Sequence, residues 1–531
     1  MKPNHHELAG SARSLTAAPP APPVVAVVDM GASAIRLLVA EAAPDGPIRV
    51  LEEVSRGVLL GKDTFIHSRL GPATVEAALK ALEGFRQIME GYGVRQYRAV
   101  ATSAVREAAN GDSFLDQVRL RTGIEFEVIE GTEENRLTYI AVREALRGHE
   151  ALTRGNALLV EVGGGSADIS YLRQGEPVHS GTYALGSIRM RQSLASWRGS
   201  HDHLLRLIRR HIHNVVEDIR VEMPLAEVEH FIALGGDVRF AAARLLGEEA
   251  ESGLPAVGRD GFLAFCDEVS HFDVDELVER YHLAHVDAET LVPALMAYRE
   301  LLAETRAERL LVPDASLRGG LLLEMVRADR GIEDFSRQVL ASAAALGERY
   351  RYDAAHSKNV AQLAMRLFDE LTAEHGLGSR ERLLLEVAAL LHDVGIYVNL
   401  RGHHKHSQYV LSVSEVFGLS RDDLLVVSNV ARYHRRGLPQ KSHLPYMALD
   451  RETRLMVRKL AALLRLANAL DADHLQKVTD LRVIKEEGGF VLEVEGAGDL
   501  TMERLAAGSR ADLFVDVFGR RLSFREAGAR L

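Results

Sequence analysis

Cysteine is almost missing from this sequence: 531 residues hold one, Cys266, so no internal disulfide can form, which fits a reducing cytoplasm. The expected state of that thiol is a small buried hydrophobe. Long apolar runs are also lacking. No stretch approaches the ~20 residues that a membrane-spanning helix needs. The first residues, "MKPNHHELAGSARSLTAAPPAPP", lack the hydrophobic centre of a secretion signal and read as a disordered tail. There is no excess of positive charge either. Sixty-four basic against 75 acidic residues leave a net charge of −11, which argues against broad coating of nucleic acid. A polyanion would need a focused site. What is present is enough apolar material, 47% of residues, to bury several cores, so three or four domains are expected.

From Val24 the pattern alternates between strands and helices. "VVAVVDMG" reads as a β-branched strand ending in Asp-x-Gly, with "AIRLLVAEA" as its hairpin partner. "GPATVEAALKALEGFRQIME" and "GTEENRLTYIAVREAL" carry apolar residues at helical spacing. "LLVEVGGGSADISYLRQG" then repeats the opening design of strand, acid, glycine turn and strand, and "HFIALGGDVRFAAARLLG" adds a third glycine turn leading into a helix. The class is α/β, with a weak internal duplication that suggests two similar lobes facing a cleft. After about Arg330, long amphipathic helices take over, and from Asp480 strand-like alternation returns around a Gly-Gly turn. The expected division is a tail over 1–23, lobe I over 24–150, lobe II over 151–330, a helical domain over 331–479 and a small α+β domain over 480–531. The basic run "RLIRRHIHNVVEDIR" reads as a solvated amphipathic helix rather than a guide for a polyphosphate chain, because acids end it.

Glycine turns admit two readings. They are tight connections between strands, or they let backbone N–H groups converge on an anion that a Cβ would block. Acids beside such loops would repel phosphate unless a divalent cation sat between them, so Asp29, Glu161 and Asp168 imply Mg²⁺ or an equivalent ion. Three such turns in a duplicated frame favour polyphosphate-type ligands.

The stretches "VVDMGASAIRLLVAE", "AVATSAVREAAN", "VIEGTEENRLTYIAV", "LLVEVGGGSADIS", "YALGSIRMRQSL", "ALGGDVRFAAA" and "VPDASLRGGLL", in this order, resemble the exopolyphosphatase and guanosine pentaphosphate phosphohydrolase (Ppx/GppA) family. The resemblance implies two actin-like lobes of the sugar kinase/Hsp70/actin fold, followed by an HD-type helical domain and a C-terminal appendage. It also implies removal of terminal phosphate from polyphosphate or pppGpp with Mg²⁺ or Mn²⁺, and a homodimer with no nucleic-acid or membrane partner. Glu134 in "GTEENR" matches the family's water-activating glutamate, and Arg106 its cleft arginine, suited to a bidentate grip on phosphate. Gly31, Ser33, Gly163, Gly164, Gly165, Ser166, Gly235 and Gly236 fall at its phosphate turns, and Asp29, Glu161 and Asp168 at its metal positions. Arg136 reads as an ion-pair partner on the helix face in preference to a second phosphate contact. The chain departs from the family in placing Ala32 and Ala34 where hydroxyls are usual, in exchanging the lengths of the acids at Glu161 and Asp168, and in placing Asp237 in the third turn.

A second series, His356, His392 with Asp393, His406, His434 and Asp471, resembles the HD phosphohydrolase superfamily. By that resemblance a transition metal is held by His356, His392, Asp393 and Asp471, with His406 and His434 available to a second ion. His403 and His404 are expected in an exposed loop. Two alternatives to cleft hydrolysis follow. In one, the HD domain cleaves a nucleotide or other phosphoester while the lobes sense a ligand. In the other, the chain is a non-catalytic regulator that binds polyphosphate or pppGpp.

Overall fold

The structure is a computed structural model that describes residues 22–42, 48–193, 201–247, 253–435 and 437–527, with backbone only for 328–334. The expected tail lies outside the described residues except for Pro22 and Pro23.

Lobe I is built on five strands, β1 (Val24–Met30), β2 (Ala34–Glu41), β3 (Arg49–Gly57), β4 (Gln96–Ala101) and β5 (Glu127–Val128), ordered β3-β2-β1-β4-β5. Lobe II adds six strands, β6 (Asn156–Val162), β7 (Ala167–Arg173), β8 (Glu176–Tyr183), β9 (His230–Leu234), β10 (Ala256–Gly258) and β11 (Arg309–Leu311), ordered β10-β11-β9-β6-β7-β8. The duplication read from sequence is a duplication of topology. In each lobe an antiparallel meander of three strands is extended by parallel strands beside its first member, and lobe II ends on β10, antiparallel to β11. β1 is buried along nearly its whole length because both sheet faces are covered, which is why its sequence is a continuous apolar run.

The helix Gly131–Ala145 joins the two lobes. Its Leu137 packs with Val25 and Val27 of lobe I, while Tyr139, Ala141 and Val142 pack with Ala157 and Leu159 of lobe II. The helix Leu317–Val326, expected in lobe II, instead places Leu317, Leu321 and Leu322 in that same lobe I core. Its apolar face finds the uncovered side of the first sheet rather than the nearer sheet in sequence.

The helical region holds Ala354–Glu370, Ser379–Leu391, His403–Val413, Arg421–Arg432 and Arg451–Ala469. The boundary expected at Arg330 falls inside one continuous helix, Ala328–Arg349. The C-terminal strands β12 (Val478–Glu486), β13 (Gly489–Gly496) and β14 (Arg521–Glu526) form a three-stranded sheet. Leu481, Phe490, Leu492 and Phe514 of this part share one core with Leu460 and Leu463. A sheet this small cannot bury enough apolar surface alone, so it completes the helical region rather than standing apart. Among the described residues no helix is long and apolar enough to cross a membrane, and Cys266 is buried and free.

Candidate functional site

The three glycine turns meet in one cleft of about 360 Å³ between the lobes. Gly31, Ser33, Gly163, Gly164, Gly165, Ser166, Gly235 and Gly236 all line it, as do Asp29, Glu134, Glu161, Asp168 and Asp237. The first two turns close alike, Gly31 N–H donating to the Ala34 carbonyl at 3.1 Å and Gly163 N–H to that of Ser166 at 2.9 Å. These amides therefore shape the turns. Gly165 shows that the two readings of the glycines are both realised: a Cβ there would stand 2.2 Å from Ser103 Oγ of the other lobe. That glycine lets the lobes approach.

Register places the acids. Glu161 on β6 stands directly opposite Asp168 on β7, while the equivalent pair in lobe I is Asp29 opposite Arg36. Like charges opposed across a ladder repel, and Glu134 enters the same space from the first turn of its helix. Burial raises the Glu134 carboxyl, Arg106 works against it and Asp29 and Glu161 add to it, leaving it at about 7. Burial likewise raises Glu161, and burial with the nearby Glu134 lifts Asp168 well above the usual carboxylate range. Thr138 Oγ1 donates to Glu161 Oε2 at 3.1 Å and Thr182 Oγ1 to Asp168 Oδ1 at 2.8 Å. A cluster of carboxylates, Asp29 buried and Glu134, Glu161 and Asp168 half-buried, whose charges oppose one another fits a divalent cation, which hard oxygen donors favour.

Arg106, expected at phosphate, is engaged with the glutamate beside it. Its Nη1 donates to Glu134 Oε1 at 2.9 Å and to the Ile129 carbonyl, so the guanidinium holds the glutamate. The short helix Ser103–Arg106 ends beside the start of the Glu134 helix, which makes that pairing local. Three cleft-lining arginines went unread in the sequence: Arg36, Arg239 and Arg318. Arg36 and Arg318 lie 3.7 and 3.6 Å from Asp29 Oδ2. Each had a signal, its place in one of the family-like stretches, Arg36 in "VVDMGASAIRLLVAE", Arg239 in "ALGGDVRFAAA" and Arg318 in "VPDASLRGGLL".

The helical region gathers a second group around Asp393. His403 Nε2 and His434 Nε2 lie 3.1 and 3.3 Å from its Oδ1, and His392 Nε2 and His356 Nε2 lie 3.6 and 4.0 Å from its Oδ2. Two overlapping sets, His356, Asp393 and His474, and Asp393, His403 and His434, have ligand atoms close enough to share an ion. The orientation of the rings has a cause. Nδ1 of His392, His403 and His434 each faces the carbonyl three residues earlier, at 2.7, 3.0 and 2.6 Å. A carbonyl only accepts, so Nδ1 carries the proton and Nε2 offers its lone pair to the centre. His356 Nε2 and His392 Nε2 are buried without a hydrogen-bond partner. Burial works to raise the Asp393 carboxyl, yet the imidazoles of His392, His403 and His434 more than reverse it and hold it low. These donors fit a transition metal.

Three members of the expected series fall outside both sets: His392, whose Nε2 still lies 3.6 Å from Asp393 Oδ2, His406 and Asp471. His406 is half-buried away from them, and His403, which begins its helix and is 4% exposed, takes that place. Asp471 is occupied: Oδ2 pairs with His356 Nδ1 at 2.8 Å and Oδ1 accepts the Gln476 N–H at 2.7 Å. It orients His356. His474, absent from the expected series, stacks on His356 at 3.6 Å between ring centres.

Similarity to known proteins follows this division. The chain is 24% identical over 459 residues to the guanosine-5'-triphosphate,3'-diphosphate pyrophosphatase of Vibrio parahaemolyticus, covering 83% of this chain and 87% of that protein. It is 24% identical over 429 residues to the protein of the same name from Vibrio vulnificus, covering 78% and 81%. Among solved structures, an exopolyphosphatase from Cytophaga hutchinsonii superposes with a TM-score of 0.53 at 19% identity, over 57% of this chain and 98% of that one. That likeness shows the shared two-lobed fold. Residues 339–502 match Ppx/GppA phosphatase, domain III, and residues 38–329, which carry the cleft apart from its first glycine turn, match the Ppx/GppA phosphatase family, so the chain belongs to the Ppx/GppA phosphatase family.

Proposed function

We propose that the interlobe cleft hydrolyses the terminal phosphoanhydride of inorganic polyphosphate or of pppGpp, with Glu134 as the base. The observation that carries this reading is one cleft in which the half-buried Glu134 carboxyl, raised to about 7, faces three glycine turns and a set of opposed acids. Asp29, Glu161 and Asp168 would hold Mg²⁺ or Mn²⁺, and the chemistry such an ion supplies is neutralisation of charge on phosphate oxygens. Glu134 takes a proton from water as the new O–P bond forms and the bridging P–O bond breaks, and the shortened chain leaves as the anion. Arg106 fixes the direction of the Glu134 carboxylate and favours its ionised form. Ser33, Ser166, Arg36, Arg239 and Arg318 are the side chains available to phosphate oxygens, and the arginines supply donors where Ala32 and Ala34 offer none. The cleft lies within the usual size range of small-molecule sites. Orthophosphate release from polyphosphate and from pppGpp, assayed with Mg²⁺ and with Mn²⁺, tests the reading. Release by the full chain that ceases with a chelator supports it, and no release from either substrate removes it.

The geometry around Asp393 favours a second reading, in which the helical region is a metal centre of HD type. Four imidazole Nε2 atoms turned towards one buried carboxylate suit Mn²⁺, Fe²⁺, Co²⁺, Ni²⁺ or Zn²⁺. Asp393, His403, His434, His392 and His356 would hold the ion, with Asp471 behind His356.

A further inference from the structure

On the far side of the Glu134 helix, away from the cleft, a groove of about 950 Å³ separates it from the helical region. The groove is bridged at three successive points along the helix. The Arg421 N–H donates to Glu130 Oε2 at 3.2 Å, at the residue that precedes the first turn. Phe417 meets Tyr139 edge-on with ring centres 5.5 Å apart. Between them lies Arg136, 7% exposed, held bidentately by Glu133 at 2.7 Å for both contacts and by Glu324 at 2.5 Å. Its guanidinium sits 5.1 Å over the Phe335 ring. Gly418, with φ at +75°, has room for no side chain, since a Cβ would stand 2.7 Å from Phe335 and 3.3 Å from Arg136 Cδ. The loop from Val416 to Arg421 is itself anchored, because the Phe417 N–H donates to Ser342 Oγ at 3.1 Å.

We infer that Arg136 and this loop form a clamp by which the helical region sets the position of Glu134. Arg136 is a positioning residue and touches no substrate. It lies two residues from Glu134 on one helix, and its partner Glu324 also accepts from Arg98 on β4, so the helix is tied at once to the helical region and to the first sheet. Buried charges held by planar, bidentate contacts have little freedom to shift, and displacement of a base by about 1 Å can cost on the order of a hundredfold in rate. This inference rests on the reading of Glu134 as the base.

The test uses the full chain with polyphosphate as substrate. Arg136→Met keeps the stem and removes the fork; it is expected to lower kcat at least tenfold with KM within about threefold. Arg136→Lys restores the charge without the fork and should fall between the two. The decisive arm is the double variant: Arg136→Met with Glu134→Gln should be no more than about twofold slower than Glu134→Gln alone, since a misplaced base that is absent costs nothing further. Hydrogen exchange of residues 131–139 should accelerate in Arg136→Met while the helices lining the Asp393 centre keep their protection. A multiplicative loss in the double variant, or a rise in KM with kcat unchanged, overturns the clamp. If the parent chain releases phosphate from neither polyphosphate nor pppGpp, the hydrolysis reading fails, and exchange alone then decides the clamp, unchanged protection at 131–139 refuting it; if it releases phosphate from pppGpp alone, the same variants are compared on pppGpp. Should Arg136→Met fail to fold, Phe417→Leu supplies the same comparison.

Discussion

Glu134 has a carboxyl near pH 7 because burial and neighbouring acids oppose its charge while one arginine supports it. That balance makes its behaviour predictable. Replacing it with glutamine should cost ~10²–10⁴ in phosphate release, the usual effect of losing a general base. Arg106→Gln removes the group that lowers the Glu134 pKa, so the acid limb of the pH–rate profile should move to higher pH, a shift that a kinetic titration reads directly. An unmoved limb contradicts the pairing. Asp237 gives a prediction for stability. Burial pushes its carboxyl from 3.8 up to about 7, so the folded state binds its proton more tightly than the unfolded state does. The stability this adds is complete below pH 3.8 and is lost as pH rises through about 7. Asp237→Asn, neutral at every pH, should therefore gain on the parent chain as pH rises from 4 to 8, seen in melting midpoints taken at each pH. A gap that does not change with pH contradicts the burial.

At the scale of elements, what was legible in the sequence was what is local. Each acid, glycine turn and return strand lies within a dozen residues, and the turns at Gly31, Gly163 and Gly235 were read in place. What was not legible depends on which distant element arrives. The Leu317–Val326 helix crosses to lobe I because its apolar face fits an uncovered sheet surface, which spacing alone cannot reveal. The choice of His403 over His406 depends on where a helix starts and how it is phased, and element ends are the least determined part of a sequence reading. Arg106 was read from the family resemblance as the cleft arginine, and its hydrogen bond to Glu134, 28 positions along the chain, is a pairing that only the fold reveals. The turn at Gly165 also makes a prediction. Gly165→Ala forces a Cβ against Ser103 Oγ and Phe65 and should destabilise the closed lobes by about 1–3 kcal/mol, while Ser103→Gly should recover part of that loss. Equal melting curves for Gly165→Ala and the parent would show that the lobes meet less closely.

The whole molecule carries two constellations of ionisable groups, an acidic cleft between lobes and a histidine centre in the helical region, joined by the helix that bears Glu134. The second should hold at least one transition metal per chain after reconstitution, and Asp393→Ala should empty it, since that carboxylate belongs to both candidate ligand sets. Elemental analysis of the intact protein checks this. Metal bound equally by parent and variant would place the ion elsewhere. The account's central claim is that phosphate is released in the cleft, and the most direct measurement compares Glu134→Gln and Asp393→Ala in one orthophosphate-release assay, on folded full-length chains with Mg²⁺. Loss of ~10²–10⁴ in Glu134→Gln, with Asp393→Ala within a few-fold of the parent, is the predicted result. Unchanged release by Glu134→Gln alongside loss in Asp393→Ala would contradict it and move the chemistry to the helical centre.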